Sequence, residues 1–371
     1  MQDQIHLARP DITQAEIDAV VAVLKTPHLS LGPKLAEFEA AFAAYCGTAH
    51  AVACSSGTAG LHMLTLAVGV GAGDEVITTP FSFIASANCI VMAGATPVFV
   101  DIDADTWNLD PGRIEPAVTP RTRAIIPVDV FGQVADFDAI TAVASRHALP
   151  VIEDACEALG GRYRNRRAGS LGHAGVFGFY PNKQITTGEG GMIVTNDAKL
   201  AQRARSLRNQ GREPDAGWLS HVRFGYNYRL GEIPCALGLV QLSRIDEILA
   251  ARERVAGWYR ARLADEQRIV MQRVHADVAM SWFVFVVRLA DAYDHGRRDG
   301  ILNALRERGI GCGNYFEPIH LQPPYVERFG FRPGDFPVCE NVAARTIALP
   351  FHHALTEADV DTVCCALRDL L

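Results

Sequence analysis

Two separated segments carry side chains whose chemistry would be complementary if the fold brought them together. The run VIED (151–154) is a short apolar stretch that ends in two carboxylates, Glu153 and Asp154. Because adjacent side chains of a strand point to opposite faces, only one of these carboxylates can enter a site above the strand end. A turn or a helix cap is the more ordinary role for an acidic residue at a strand end, so this motif alone does not identify a site.

Lys183 is the second candidate. It lies in GVFGFYPNKQITTGEGGMIVTND, between an aromatic-rich apolar run (176–180) and a second apolar run (192–195). A lysine between two buried strands is desolvated, and burial or a cationic neighbour lowers its pKa, which makes the amine a usable nucleophile. Taken by itself, the same lysine could equally lie at an exposed hairpin tip.

A third segment could bind an anion. The sequence SSGTA (55–59) follows the apolar run HAVAC and opens a helical pattern. Free N–H groups and the helix dipole at such a helix start attract a phosphate, and small residues let the backbone approach it. The turn has no GxGxxG pattern, so a dinucleotide-binding fold has no support. Phe83 follows another apolar run and could lie flat against a ring, although a lone aromatic is also a common core residue.

The elements around these motifs alternate between short apolar runs and helical patterns. The apolar runs are residues 50–54, 74–79, 96–101, 123–128 and 149–154. This alternation predicts an α/β fold with a mostly parallel sheet covered by helices on both faces. In such sheets ligands lie beyond the carboxyl ends of the strands, where the candidate residues are found.

The chain is long enough for two domains. With 371 residues we predict a large domain over residues 1–245 and a smaller C-terminal α/β domain over 246–371, with residues 1–15 free to pack on the smaller one. One long helix from Ile233 to Asp265 would connect them, and the apolar run 281–289 would be a strand of the second domain.

The composition of the chain argues against several classes of function. The net charge of −7 argues against a nucleic-acid-binding protein, and the local basic group (Arg162, Arg164, Arg166 and Arg167) is predicted to be a solvated loop or the rim of an anion site. The nine cysteines form no CxxC pair, and neither a secretory signal, a membrane span nor a metal-binding spacing is visible. These features predict a cytoplasmic protein with reduced thiols.

Together the segments resemble the DegT/StrS type of sugar aminotransferase, a family of fold-type I enzymes that depend on pyridoxal 5'-phosphate (PLP). The resemblance runs through nearly the whole chain, from FEAAFAAYCGTAHAVACSSGTAGL through VIEDACEALGG, FYPNKQITTGEGG and GYNYRLGEIPCALGLVQL to PIHLQPPY and ALPFHHALTEADVD. It implies a homodimer in which the two subunits share active sites.

The resemblance implies a role for each candidate residue. Lys183 would hold PLP as a Schiff base and move a proton between cofactor and sugar, while Asp154 would keep the pyridine nitrogen protonated. The residues implied in cofactor binding are Ser56, Gly57, Thr58, Ala59, Phe83, Asp154, Glu157, Lys183 and Asn227. Those implied in substrate binding are Tyr315, His320 and Arg229.

Within this set, the resemblance implies that Thr58 and the amide of Ala59 hold the phosphate, that Phe83 stacks on the ring face and that Glu157 lies near the ring and its 3-hydroxyl. Asn227 would reach the phosphate, and His320 the sugar pocket, across the dimer interface. Two positions depart from the family pattern: Gly178 stands where many members have a phosphate-binding serine, and Asp129 where many have a histidine.

The resemblance implies transamination of a nucleotide-linked sugar with L-glutamate as amino donor, for a surface polysaccharide or glycoconjugate. The segment TTGEGG favours a 4-keto-6-deoxy sugar, and Lys183 argues against relatives that carry histidine there and dehydrate the sugar. UDP, GDP and dTDP remain open. The alternatives are an aminotransferase for a cyclitol or an antibiotic amino sugar, and a regulator that has kept the fold without catalysis.

Overall fold

The computed structural model describes residues 4–213, 217 and 220–371. Its helices are α1 (Gln14–Leu24), α2 (Pro33–Cys46), α3 (Gly57–Ala67), α4 (Ala85–Met92), α5 (Phe137–Arg146), α6 (Ala198–Arg208), α7 (Glu232–Ser243), α8 (Ile245–Leu263), α9 (His295–Glu307), α10 (Pro323–Phe329), α11 (Pro337–Ala343) and α12 (Glu357–Leu370). Its strands are β1 (His50–Cys54), β2 (Glu75–Thr78), β3 (Thr96–Phe99), β4 (Thr122–Ile126), β5 (Ile152–Asp154), β6 (Arg162–Tyr163), β7 (Arg166–Arg167), β8 (Ala174–Gly178), β9 (Gly191–Thr195), β10 (Ile269–Met271), β11 (Val278–Ala279), β12 (Phe285–Leu289) and β13 (Thr346–Leu349). None of the described helices is long and apolar enough to cross a membrane.

A mostly parallel sheet forms the centre of the molecule. Strands β3, β2 and β4 pair in parallel, as do β5 and β8. Parallel bridges from Ile125 to Val151 and from Val128 to Asp154 connect the two groups. Strand β9 runs antiparallel to both β8 and β1, which gives the order β3-β2-β4-β5-β8-β9-β1. The predicted fold class, a mostly parallel sheet flanked by helices, is confirmed.

The predicted long helix from Ile233 to Asp265 is wrong, because the chain breaks at Arg244 into α7 and α8. The guanidinium of Arg244 donates to Asp11 at 2.9 Å and to Glu16 at 2.8 Å. These carboxylates lie more than two hundred residues earlier in the chain, so helical periodicity could not reveal the break.

Helix α8 contributes to two hydrophobic cores. Ile245 and Ile248, in its first half, pack with the core of the large sheet. Val255 and Tyr259, in its second half, pack with strands β10, β12 and β13 and helix α12. Ile5 pairs with Ile310 beside this second core. The predicted domain division at residues 245 and 246 stays a prediction, since α8 belongs to both cores.

Candidate active site

A cavity of about 680 Å³ opens beyond the carboxyl ends of β1, β5 and β8. The polar and aromatic side chains predicted from the sequence converge here from distant parts of the chain. Those that line the cavity are Ser56, Gly57, Thr58, Phe83, Asp154, Glu157, Lys183 and Tyr315. The cavity therefore has the location expected for a ligand site in an open parallel sheet.

Lys183 lies just after β8, in a turn where its N–H donates to the carbonyl of Tyr180 at 2.9 Å. Its Nζ lies 3.5 Å from Oε1 of Glu157 and 3.9 Å from the ring centre of Phe283. The side chain is only 14% exposed. A carboxylate and an aromatic face thus hold the amine at the cavity wall, since both attract a cation.

Asp154 ends β5 on the cavity side of the sheet. Its backbone N–H donates to the carbonyl of Pro127 at 3.0 Å, and its Oδ1 accepts from the N–H of Cys156 at 3.2 Å. Burial raises the pKa of the Asp154 carboxyl, and the positive charge of Lys183 partly opposes this shift. A cationic ring nitrogen would stabilise the ionised form in the same way.

Glu153 points to the opposite face, as strand alternation predicted for one member of the pair. Its carboxylate accepts from the backbone N–H groups of Leu171 at 2.9 Å and Gly172 at 3.4 Å. Burial raises its pKa to about 7. Glu153 therefore organises the loop before β8, whereas Asp154 faces the cavity.

Glu157 is buried beside the lysine. Its Oε2 accepts from the N–H of Phe131 at 2.9 Å, while Oε1 faces Lys183. Burial raises the pKa of Glu157, and the charge of Lys183 opposes this shift. A carboxyl with a raised pKa can hold or release a proton close to the amine.

The start of α3 forms the end of the cavity suited to an anion. The Ser56 hydroxyl caps the helix by accepting from the N–H of Ala59 at 3.1 Å. This bond uses the amide that the sequence assigned to phosphate, so the uncapped groups of the first turn, at Gly57 and Thr58, are better placed for an anion. A Cβ on Gly57 would lie 2.8 Å from Sγ of Cys156, so only glycine allows this close approach.

The space around residue 178 would accept a side chain larger than that of glycine. A Cβ at this position would lie 3.5 Å from Sγ of Cys156 and 3.8 Å from Cα of Gly57, which are ordinary contacts. We expect Gly178→Ser to add a hydroxyl beside the first turn of α3 and to bind PLP several-fold more tightly, since one hydrogen bond contributes about 1 kcal/mol. Equilibrium dialysis of the variant measures this change.

Gly178→Ala is the matched control, because it adds the same carbon without the hydroxyl. Equal affinities for the serine and alanine variants would show that position 178 does not contact the phosphate.

Asp129 does not line the cavity. Its side chain is fully buried, and its Oδ1 accepts from the N–H of Ala135 at 3.0 Å. Burial and the neighbouring charge of Glu153 raise its pKa well above the ordinary value. The departure from the family histidine therefore leaves a buried, proton-holding group on the Glu153 side of the sheet.

The structure does not bring His320 to the cavity. Its side chain has no exposed surface, its Nε2 lies 3.1 Å from Oε1 of Glu340, and its ring packs 4.7 Å from that of Phe336. The predicted contact of His320 with the sugar across a dimer interface stays a prediction. Burial lowers its pKa.

Asn227 and Arg229 also lie away from the cavity of their own chain. Asn227 is exposed, and Arg229 donates to Oδ1 of Asn209 at 2.9 Å. Their segment also exposes Val222 (48%) and Phe224 (99%). Neither residue lines the cavity of its own chain, and this position is compatible with the predicted contact to a second subunit.

Several lining residues were not found from the sequence. Cys156, Tyr180, Asn182, Glu189, Phe283 and Asn314 all face the cavity. Cys156, Tyr180 and Asn182 neighbour predicted residues, so proximity could have indicated them. Phe283 lies in an apolar run that is indistinguishable from core, and only the fold places it against Lys183.

Known proteins are similar over the whole length of the chain. The model of the DegT/DnrJ/EryC1/StrS aminotransferase family matches residues 10–368. The GDP-perosamine synthase of Caulobacter vibrioides is 45% identical over 371 residues, which covers 99% of this chain and 98% of that protein. The spore coat polysaccharide biosynthesis protein SpsC of Bacillus subtilis is 41% identical over 372 residues, covering 98% and 96%. A Streptococcus pneumoniae protein described as a sugar aminotransferase, solved in its PLP form, superimposes with a TM-score of 0.94 at 29% identity, covering 99% of this chain and 100% of that one.

Proposed function

Because the chain belongs to the DegT/DnrJ/EryC1/StrS aminotransferase family, we propose that it transfers an amino group from L-glutamate to a nucleotide-linked 4-keto-6-deoxy sugar with PLP as cofactor. The observation that carries the proposal concerns the four lysines of the chain, at positions 25, 34, 183 and 199. All four lysines are among the described residues, and of these lysines only Lys183 lines the cavity. The carboxylate of Asp154 lines the same cavity.

The residues present fit PLP. The cavity offers an amine for an aldehyde, a buried carboxylate for a ring nitrogen and a helix start for a phosphate. PLP supplies an electron sink when it is bound. Asp154 would keep the ring nitrogen protonated, the N–H groups of Gly57 and Thr58 would hold the phosphate, and the exposed ring of Phe83 would cover one face.

Lys183 would act twice in the reaction. Its amine would hold the cofactor between turnovers, and once released it would carry the proton between the cofactor carbon and the sugar carbon. Glu157, 3.5 Å from the amine, is placed to balance its charge in both roles. Tyr315 and Asn182, whose side chains approach to 3.4 Å, would contact the sugar on the outer side.

The charges of the cavity support a homodimer with shared sites. Among the described residues that line it, Lys183 is the only basic one, against the carboxylates of Asp154, Glu157 and Glu189. The reaction has to bind a phosphate, a diphosphate and the carboxylates of glutamate, so further cations have to come from outside this chain's own cavity. Arg229, beside the exposed Asn227, is the candidate from a second subunit.

Mixed dimers test this sharing. We expect Lys183→Ala and the double variant Asn227→Ala/Arg229→Ala each to have little activity alone. A dimer with one subunit of each kind contains one complete site, so activity should return when the two are co-expressed and purified through different tags. Activity no greater than the sum of the separate variants would contradict a shared site.

The relatives favour a GDP-linked substrate for polysaccharide synthesis. The name of the Caulobacter relative specifies a GDP-linked product, and that of the Bacillus relative a spore coat polysaccharide. The experiment is a panel of GDP-, UDP- and dTDP-linked 4-keto-6-deoxy sugars with L-glutamate, in which 2-oxoglutarate and the amino sugar are measured together. Turnover of a keto-inositol without any nucleotide sugar would replace the proposal with a cyclitol aminotransferase.

A further inference from the structure

Arg252, near the middle of α8, is buried to 3% exposure and directs its guanidinium at the backbone around the lysine. Its Nη2 donates to the carbonyl of Lys183 at 2.9 Å. Its Nη1 donates to the carbonyl of Phe283 at 3.1 Å. One rigid, planar group therefore joins two segments that are a hundred residues apart in the chain.

The same two segments form the contact that holds the amine. The Nζ of Lys183 lies 3.9 Å from the ring centre of Phe283, so Arg252 fixes the backbone on both sides of this cation–π contact. A shift of either segment would change the distance between amine and ring. Gln184, the next residue, also connects these segments by hydrogen bonds. Its Nε2 donates to the carbonyl of Glu157 at 2.6 Å and to Oγ of Ser281 at 3.0 Å.

The burial of Arg252 is not explained by an ion pair. Among the described residues Arg252 forms no ion pair, although the charge of Asp11 acts on it from a longer distance, and its buried Nε has no hydrogen-bond partner. Burial lowers its pKa to about 10, so the group is still charged at neutral pH. Burying an unpaired charge costs stability relative to an apolar residue of similar volume. The hydrogen bonds to the carbonyls of Lys183 and Phe283 offset part of this cost, and they fix the geometry of the two segments.

The position of Arg252 connects the lysine to the second core. Residues Ile248 and Leu249, on one side, pack with the core of the large sheet, and Val255 and Ala256, on the other, pack with the second core. Arg252 lies between these two groups on the same helix. A displacement of the second core relative to the sheet would therefore act on the carbonyl of Lys183 through this guanidinium.

We propose that Arg252 is a positioning residue, which fixes the Lys183 amine against Phe283 and Glu157 for the reaction. This inference rests on the proposed function. It also has an electrostatic consequence: a buried cation beside the lysine disfavours a second positive charge there. Loss of Arg252 should therefore both loosen the amine and make the cofactor bound there easier to protonate.

The test compares the PLP-loaded wild type with Arg252→Met and Arg252→Lys. We expect Arg252→Met to fold with a lowered Tm, because the buried carbonyls of Lys183 and Phe283 lose their donor. Its folded fraction should lose roughly 10- to 100-fold in kcat with little change in KM for the sugar, and the pH midpoint of the cofactor's visible absorbance should shift upward. Arg252→Lys keeps the positive charge but cannot donate to the two carbonyls from one planar group. Its pH midpoint should therefore stay near that of the wild type, while its kcat should lie between those of Arg252→Met and the wild type.

Arg244→Met is the matched control. Arg244 is also a largely buried arginine, but it pairs with Asp11 and Glu16 and does not contact the lysine. Its loss should lower Tm and leave the pH midpoint unchanged. The inference is overturned if Arg252→Met has the wild-type midpoint and kcat, or if kcat falls only in proportion to lost folded protein.

The midpoint is measured with PLP alone, so it does not depend on the sugar. If the wild type binds PLP and shows a pH midpoint but aminates no sugar of the panel, the proposed substrate is wrong, and the midpoints of the variants still decide the role of Arg252.

Discussion

Lys183→Ala is expected to abolish multiple turnover and the covalent attachment of PLP. Among the described residues Lys183 is the only lysine that lines the cavity, so the variant loses the amine that would hold PLP and move the proton between cofactor and sugar. Proton transfer by a positioned side chain alone contributes roughly 10²- to 10⁴-fold. The rate of amino-sugar formation gives the loss, and mass spectrometry after borohydride reduction shows whether PLP remains on the peptide that contains residue 183.

Lys199→Ala is the control for this experiment. Lys199 lies exposed in α6, away from the cavity, so its loss should leave turnover and cofactor attachment unchanged. Attachment of PLP to Lys199, or normal turnover by Lys183→Ala, would show that the cavity does not contain the reactive amine.

The sheet could be predicted because it depends on local patterns, whereas the roles of Lys183 and Asp154 followed from the resemblance to the aminotransferase family, since neither motif alone identifies a site. Apolar runs that alternate with helical periodicity fix a parallel sheet, and the carboxyl ends of its strands meet at one edge. Strand alternation then separates Glu153 from Asp154, and the structure shows Glu153 bound to the loop before β8 while Asp154 faces the cavity. The opposite orientation of these two adjacent side chains follows from their place in one strand and does not depend on distant parts of the chain.

The remaining features depend on contacts between distant parts of the chain. Helix periodicity continues through Arg244, where α7 ends, and the Arg244 ion pairs with Asp11 and Glu16 join segments more than two hundred residues apart. His320 lies in a proline-rich loop and reads as an accessible side chain, yet Phe336 and Glu340 cover it. Such packing has no periodic signal in the sequence, and the same is true of Phe283 beside Lys183.

Asp154→Asn is expected to lower kcat on the order of 10²- to 10³-fold, the loss found when one electrostatic partner is removed from a site that excludes water. An amide keeps the shape of the side chain and the bond from the N–H of Cys156, but it carries no charge to stabilise a protonated ring nitrogen. The pH dependence of PLP affinity gives an independent readout. In the wild type, affinity should fall as pH falls through the raised pKa of Asp154, and in Asp154→Asn this dependence should be absent.

The neighbouring carboxylate supplies the control, since Glu153 differs from Asp154 mainly in the face to which it points. Glu153→Gln replaces a carboxyl one residue away, but on the side of the sheet where the side chain accepts from the N–H groups of Leu171 and Gly172. It should therefore lower Tm and leave both kcat and PLP affinity near those of the wild type. If the two variants lost activity equally, overall charge would be responsible rather than a directed contact with the cofactor. If Asp154→Asn kept the wild-type rate, the ring nitrogen would have to be held by another group.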